Sequence, residues 1–157
     1  MSGKEFIVTI RRLLDVDEII RLRARYCHLL DHKDWDGFAE LFAADAVLRT
    51  GLAGGPEVVE RRGRTAIAEF VRERMGSAAS SHQVSAPDIQ VLAEDRAQGT
   101  WAVHYLQEGN RLTGYGFYHD EYVKQDGRWL IQRVTLETTI RFGTLVSLNP
   151  VPSGAEQ

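Results

Sequence analysis

The sequence predicts an α+β domain, in which three N-terminal helices pack on a curved, mixed or antiparallel sheet. Apolar residues follow helical spacing up to about residue 75, and they alternate with polar residues from His82 onward. The dipeptide Asp126-Gly127 separates two alternating segments and is typical of a tight hairpin turn. A sheet that curves around helices forms a cone, and cones of this kind hold small apolar ligands.

The helices are predicted from apolar spacing and from one capping signal. Asp15 is expected to begin the first helix, because Glu18 follows three residues later as in a capping box. Helical spacing then continues to Leu30. A short second helix is expected around Trp35 and Phe38, and a third over residues 66–75.

The strands follow from alternation and from turn residues. Residues 46–50 are predicted as a strand, 51–56 as a loop rich in glycine, and 57–60 as a hairpin partner. Long strands are expected at 81–93, 98–108, 112–124 and 128–142. Within the third of these, Gly114 and Gly116 indicate a bulge or room for a ligand. Residues 1–148 are expected to form one domain, and residues 149–157 a loose tail.

Composition excludes several classes of protein. The 157 residues suit one domain, with 43% hydrophobic and 26% charged residues. A net charge of -3 without a dense Lys/Arg track argues against nucleic-acid binding. The apolar stretch Phe6–Ile10 is too short for a membrane span or a signal segment. The single cysteine, Cys27, excludes an internal disulfide, so a cytoplasmic location is expected.

Tyr26 and Asp31 are candidate functional residues at the junction of the first two helices. Five residues apart, they diverge by about 140° on an ideal helix, so they converge only if the helix ends near Leu30. A partly buried carboxylate at a helix C-terminus is expected to have a raised pKa, which would suit a general base. The alternative is that Asp31 caps the next helix and Tyr26 is a core residue.

His82 is the second candidate, at the start of the first long strand. It shares a strand face with Val84 and Ala86, so it is either a core histidine or an acid/base group. With Asp31 it could form a dyad in which the carboxylate fixes the imidazole tautomer. His28 and His32 have the spacing of two metal ligands on a helix, but no further Cys/His cluster supports them. No metal and no cofactor are therefore expected.

Three stretches of the chain resemble the SnoaL-like branch of the NTF2-like superfamily, whose fold is the cystatin-like cone. They are Asp31-His-Lys-Asp-Trp35-Asp with Leu41-Phe-Ala-Ala-Asp45-Ala, then Ser81-His82, then the segment from His119 to Trp129. The branch includes scytalone dehydratase, bile-acid 7α-dehydratase and the lindane dehydrochlorinase.

The resemblance implies roles for particular residues. It places an acid/base pair on Asp31 and His82, an assisting hydroxyl on Tyr26, and an assisting C-terminal arginine on Arg141. Two departures make scytalone itself an unexpected substrate. His104 has the wrong strand parity for a second pocket histidine, and Leu30 replaces the tyrosine next to the aspartate.

The expected function is a cofactor-independent dehydratase, lyase or isomerase acting on a small hydrophobic cyclic substrate, polyketide-like or steroid-like. Two alternatives stay open: a polyketide cyclase that closes rings by aldol chemistry, and a non-catalytic carrier or structural subunit like a ring-hydroxylating dioxygenase β subunit. A homodimer or homotrimer is expected, with His104, Tyr115, Phe117 and His119 on the contact face. The residues expected to line the cavity are Trp101, Val103, Tyr105, Tyr118, Val134, Leu136 and Arg141.

Overall fold

The structure is a computed structural model that describes residues 2–52, 58–108 and 112–143. It confirms the α+β class, with three helices and six strands among these residues. In chain order the elements are α1 (Gly3–His32), α2 (Trp35–Ala39), β1 (Phe42–Leu52), β2 (Val58–Arg62), α3 (Arg64–Met75), β3 (Ser80–Ala93), β4 (Arg96–Gln107), β5 (Leu112–Gln125) and β6 (Arg128–Phe142). The expected tail over 149–157 and most of the expected loop over 51–56 lie outside the described residues.

The six strands form one mixed sheet in the order β2-β1-β6-β5-β4-β3. Strands β3 to β6 form an antiparallel meander, and β1 joins it by running parallel to β6. The four long strands lie within two residues of their predicted bounds. The turn between β5 and β6 was also predicted correctly, since Asp126 and Gly127 both have positive φ, at 49° and 75°.

Bulges bend the meander around the helices. The β3–β4 register shifts between Ser85 and Asp88, and the β5–β6 register shifts between Tyr115 and Gly116. A Cβ at Gly116 would lie 1.9 Å from the Glu137 carbonyl oxygen, so glycine is required at this bulge. The extra residue at this register shift is Thr139 in β6, so the bulge lies opposite the position predicted in β5. The expectation that Ala86 shares a face with His82 is wrong, because the β3 bulge interrupts the alternation there.

The first helix begins twelve residues earlier than predicted. Ser2 caps it, and the capping box is completed by Glu5, whose Oε2 accepts from the Ser2 backbone N–H at 2.6 Å. Asp15 therefore lies inside α1 instead of capping it. Its carboxylate accepts hydrogen bonds from Lys124 Nζ at 2.7 Å and from Trp129 Nε1 at 2.8 Å. Asp15 fastens the helix to β5 and β6, a use that its spacing to Glu18 does not reveal.

The core fills the space between α1, α2, α3 and the concave side of the sheet. Helix α1 contributes a stripe that includes Ile19, Leu22 and Leu30, and β6 contributes Ile131 and Val134. Each such side chain stabilises the fold by roughly 1.5–3 kcal/mol when fully buried. Within the described ranges, no helix is long and apolar enough to cross a membrane.

Candidate active site

A cavity of about 310 Å³ lies at the end of the core nearest the C-terminus of α1. This volume is at the lower end of the range usual for small-molecule sites, roughly 300–1,000 Å³. The walls come from α1, α3 and the concave face of the sheet. Its lining residues are Tyr26, Leu30, Leu48, Arg49, Thr50, Gly51, Val59, Phe70, Val71, Arg74, Met75, His82, Tyr105, Leu106, Gln107, Leu112, Tyr118, Val134, Leu136, Thr138 and Arg141.

Asp31 and His82 make two contacts with each other at the edge of this cavity. Asp31 lies in the last turn of α1, and Oδ1 is 2.7 Å from Nδ1 of the His82 ring. Asp31 Oδ2 accepts a second hydrogen bond, at 2.8 Å, from the His82 backbone N–H. The His82 side chain is 8% exposed and that of Asp31 is 20% exposed. Both the ring and the backbone of His82 are therefore held by one carboxylate.

Two further residues extend this pair into a chain of hydrogen bonds. The Ser80 hydroxyl donates to Asp31 Oδ1 at 2.8 Å, and Lys33 Nζ donates to Ser80 Oγ at 2.6 Å. Lys33 reaches Ser80 because it terminates α1 in the left-handed conformation, with φ of 62°. Since an ammonium group can only donate, the Ser80 hydroxyl is left to donate to Asp31.

The pKa of Asp31 is lowered, not raised as the sequence suggested. Burial pushes the pKa upward, but the hydrogen bonds from the His82 ring and backbone, the His82 charge and the Ser80 hydroxyl outweigh it. The dipole argument failed because these local donors act more strongly than the helix end. Asp31 is thus ionised at neutral pH and accepts hydrogen bonds only.

An ionised Asp31 fixes the tautomer of His82. Its oxygens can only accept, so the His82 Nδ1 next to Oδ1 must carry the proton. In the neutral imidazole, Nε2 then has a free lone pair. Because His82 lines the cavity, this arrangement can accept a proton from a bound molecule and return it.

Tyr26 and Tyr118 contribute two hydroxyl-bearing rings to the cavity wall. Their ring centroids are 5.7 Å apart, and the Arg23 guanidinium lies over both, 4.4 Å from the Tyr26 ring and 4.0 Å from that of Tyr118. Burial raises the pKa of Tyr26 to about 12 and that of Tyr118 well above its usual value, although Arg23 opposes both changes. Both hydroxyls therefore stay protonated and can donate hydrogen bonds.

Arg23 forms an ion pair with Asp120 that is fully buried under the cavity floor. Arg23 Nε donates to Asp120 Oδ2 at 3.0 Å, and the Tyr122 hydroxyl donates to the same oxygen at 2.5 Å. Trp101 Nε1 in turn donates to the Tyr122 hydroxyl at 3.0 Å. The network holds Arg23 rigidly beneath Tyr26 and Tyr118.

Tyr105 connects the dyad to the sheet. Its ring stacks on His82, with centroids 6.0 Å apart and an interplanar angle of 19°, and its hydroxyl lies 3.1 Å from Thr138 Oγ1. A Cβ at Gly114 would lie 2.2 Å from Tyr105 Cζ. The space at Gly114, which the sequence left open for a bulge or a ligand, is filled by Tyr105.

A family comparison identifies the domain. The model of the SnoaL-like domain matches residues 11–135, which is most of the chain. This chain belongs to the SnoaL-like family. A candidate scytalone dehydratase from Novosphingobium aromaticivorans is 27% identical, with a TM-score of 0.76 over 94% of this chain and 99% of that one.

Two more distant structures share the fold of this SnoaL-like domain. A hexachlorocyclohexane dehydrochlorinase from Novosphingobium barchaimii is 16% identical, with a TM-score of 0.70 over 87% of this chain and 94% of that one. The β subunit of a candidate aromatic-ring-hydroxylating dioxygenase from Novosphingobium aromaticivorans is also 16% identical, with a TM-score of 0.70 over 82% and 92%. The fold alone is therefore compatible with both an enzyme and a subunit.

Most of the predicted site residues meet at the cavity of this SnoaL-like chain. Five of the seven residues expected to line it do so, namely Tyr105, Tyr118, Val134, Leu136 and Arg141, together with Tyr26 and His82. Trp101 and Val103 do not line it. Their side chains are on the expected face of the sheet, but both residues lie nearer the start of β4 than Tyr105 does. There, buried core side chains fill the cone.

The remaining histidines lie away from the cavity. His104 stacks on Tyr115 with centroids 4.5 Å apart, and His119 Nε2 lies 3.0 Å from Glu137 Oε2. His32 Nδ1 is 2.7 Å from the His28 carbonyl oxygen, which is an intrahelical contact. Among the described residues, no group of three or more His, Cys, Asp or Glu side chains is arranged to hold a metal.

Sequence reasoning missed Ser80, Lys33, Arg74 and the Arg23–Asp120 pair. Arg23 carried a signal, because it lies on the same helical stripe as Ile19, Tyr26 and Cys27 and is a charge on a buried face. Asp120 likewise falls on the inward parity of β5. Ser80 and Lys33 carried none, since their contacts join residues 47 and 49 positions apart in the chain.

Proposed function

We propose that this SnoaL-like protein is a cofactor-independent lyase of the dehydratase type, with Asp31 and His82 as its acid/base pair. The observation that carries the proposal is the 2.7 Å contact between Asp31 Oδ1 and His82 Nδ1, made by a histidine that lines the cavity. The proposed substrate is a small hydrophobic cyclic compound with a hydroxyl group β to a carbonyl. The largely apolar wall supports this class of substrate.

In the proposed reaction His82 transfers one proton. Its Nε2 removes the proton from the carbon next to the carbonyl, and Asp31 stabilises the imidazolium that forms. The electron pair of the broken C–H bond forms the C=C bond as the C–O bond to the hydroxyl breaks. The imidazolium then protonates the departing hydroxyl, which leaves as water. Acid/base assistance of this kind typically contributes about 10²–10⁴-fold to the rate.

Tyr26 is proposed as the hydrogen-bond donor to the substrate carbonyl or to the leaving oxygen. Its hydroxyl stays protonated because burial raises its pKa to about 12. A neutral donor in a site protected from water can stabilise negative charge that develops on oxygen in the transition state. The ring is fixed by contacts with Phe38 and Phe42, whose centroids lie 4.9 and 6.1 Å away.

The test is turnover by His82→Ala on a panel of cyclic β-hydroxy ketones, followed by the ultraviolet absorption of the conjugated enone. Wild-type protein is expected to turn over at least one member, and His82→Ala none, with an unchanged circular dichroism spectrum. His104→Ala serves as the matched control, because His104 lies on the opposite face of the sheet. Undiminished turnover by His82→Ala would exclude this mechanism. Aldol products in place of enones would favour a polyketide cyclase.

The different-class alternative is a non-catalytic subunit, and the fold shared with a dioxygenase β subunit is compatible with it. This alternative predicts that the wild-type protein turns over no cyclic substrate. It also predicts that a variant lacking both Asp31 and His82 still binds its partner normally.

Homo-oligomerisation is proposed for either function. The convex face of β5 and β6 exposes large apolar residues, namely Tyr115, Phe117, Ile140 and Phe142.

A further inference from the structure

The charges that line the cavity are of one sign. Three arginines, Arg49, Arg74 and Arg141, belong to its wall, and no Asp or Glu does among the described residues. The chain as a whole carries a net charge of -3, so this is a local excess against the overall balance. Asp31 keeps its negative charge, but it is not one of the lining residues, and the nearby Lys33 ammonium, which donates to Ser80, lies close enough to interact with it.

Two of these arginines have no carboxylate partner in the described part of the chain. Arg49 Nε lies 3.4 Å from Glu60 Oε2, whereas neither Arg74 nor Arg141 forms an ion pair there. Arg74 lies on α3, partly buried beside the Phe70 ring, with 5.9 Å between the guanidinium carbon and the ring centroid. Burial lowers the pKa of Arg74, Tyr105 opposes this change, and the positive charge of Arg141 adds to it. Both arginines line the same cavity.

Tyr105 is the residue that connects the dyad with the two arginines. Arg141 pairs in the sheet with Gly114, and Gly114 is the residue over which the Tyr105 ring lies. Tyr105 also influences Arg74 electrostatically and stacks on His82. Arg74 and Arg141 line the same cavity as Tyr105, and Arg141 is exposed, which places it at the mouth.

We propose that the substrate of this site carries a carboxylate, bound between Arg74 and Arg141 at the mouth of the cavity. That the bound molecule is a substrate rests on the proposed function, whereas the anion subsite rests only on the charges that line the cavity. Guanidinium groups match the planar carboxylate and can bind it with paired hydrogen bonds. The anion would balance the positive charges of the two arginines. The apolar ring would extend inward along Leu30, Val71 and Val134 toward His82.

The experiment compares 2-naphthoate with 2-naphthamide, its uncharged isostere, by isothermal titration calorimetry. Wild-type protein is expected to bind 2-naphthoate about tenfold more tightly than 2-naphthamide, the ratio expected for one charge-assisted hydrogen-bonded contact. Arg74→Gln and Arg141→Gln should each remove most of this preference and leave the 2-naphthamide affinity unchanged, which also shows that the variants are folded. Arg72→Gln, an exposed position of the same helix, should behave as wild type.

Equal affinities for the two probes in the wild type would overturn the proposal, as would failure of 2-naphthoate to bind at millimolar concentration. Equal weakening of both probes in the arginine variants would also overturn it, because this would indicate a packing role. His82→Ala should keep the tenfold preference for 2-naphthoate over 2-naphthamide. The anion subsite can therefore fail while dehydration by His82 stands, and the reverse also holds.

Discussion

Replacing Asp31 by Asn tests the dyad most directly, because the change is nearly isosteric and its consequence can be derived from the contacts. Both oxygens of Asp31 accept hydrogen bonds, Oδ2 from the rigid His82 backbone N–H and Oδ1 from the His82 ring and Ser80. An asparagine has only one acceptor atom. Placing its oxygen against the backbone N–H satisfies the donor that cannot rotate, so its NH₂ group faces His82 Nδ1.

That orientation reverses the imidazole tautomer. Nδ1 would become the acceptor and Nε2 would carry the proton, so the nitrogen proposed as the base would no longer have a free lone pair. Loss of the base and of the carboxylate charge is expected to lower kcat by about 10³–10⁴-fold. Loss of the charge-assisted hydrogen bonds should lower the free energy of unfolding by about 1–3 kcal/mol.

Two measurements check this prediction: the rate of enone formation, and the ¹⁵N chemical shifts of the His82 ring, which distinguish the two neutral tautomers. Asp36→Asn is the matched control, since Asp36 is exposed and lies in the adjacent short helix. Wild-type kcat in Asp31→Asn, or a His82 ring that keeps its proton on Nδ1, would refute the argument.

Three further changes test other parts of the site. Ser80→Ala removes a donor that lowers the pKa of Asp31, so the pKa of that carboxyl, followed by its ¹³C chemical shift, should rise and kcat should fall by about tenfold; an unmoved carboxyl pKa would show that Ser80 does not act on Asp31. Gly114→Ala should displace Tyr105 from His82 and cost about 1–3 kcal/mol of stability, measured by urea unfolding, and unchanged stability would mean that the ring moves freely. Because the pKa of Asp31 is lower in the folded than in the unfolded chain, its stabilisation is present above the unfolded value of about 3.9 and is lost as pH falls through the folded value. Unfolding at pH 7 and pH 3 should therefore show a smaller acid loss for Asp31→Asn than for the wild type, and equal losses would contradict this.

The long strands could be predicted because each left a local pattern, whereas the assignment of Tyr26, Asp31 and His82 as one set came from the resemblance to the SnoaL-like branch. Alternation defined four strands within two residues of their bounds, and Asp126-Gly127 fixed the final hairpin. The start of α1 was missed because Asp15 looks like a cap in the sequence, although its carboxylate binds β5 and β6. The side chain of an acidic residue does not indicate whether its partner is local or distant.

The pKa of Asp31 was predicted in the wrong direction for a related reason. The helix end and partial burial could be anticipated from the chain, and both raise the pKa. The donors that lower it come from β3, and their number and geometry depend on how β3 approaches the end of α1. For a site formed by distant segments, the sequence therefore predicts only those effects on the pKa that come from residues close in the chain.

The buried Arg23–Asp120 pair is best understood through the cavity rather than through stability. Removing two charges from water costs several kcal/mol for each ion, and Arg23 Nη1 and Asp120 Oδ1 have no hydrogen-bond partner among the described residues, so the pair is a weak source of net stabilisation. Its position beneath two cavity tyrosines gives it another effect. The guanidinium counteracts the rise in the pKa of Tyr26 and Tyr118, which makes both hydroxyls stronger hydrogen-bond donors than burial alone would allow. Because Asp120 balances the charge of Arg23, the pair acts on the cavity through the two tyrosine hydroxyls and not as a free cation.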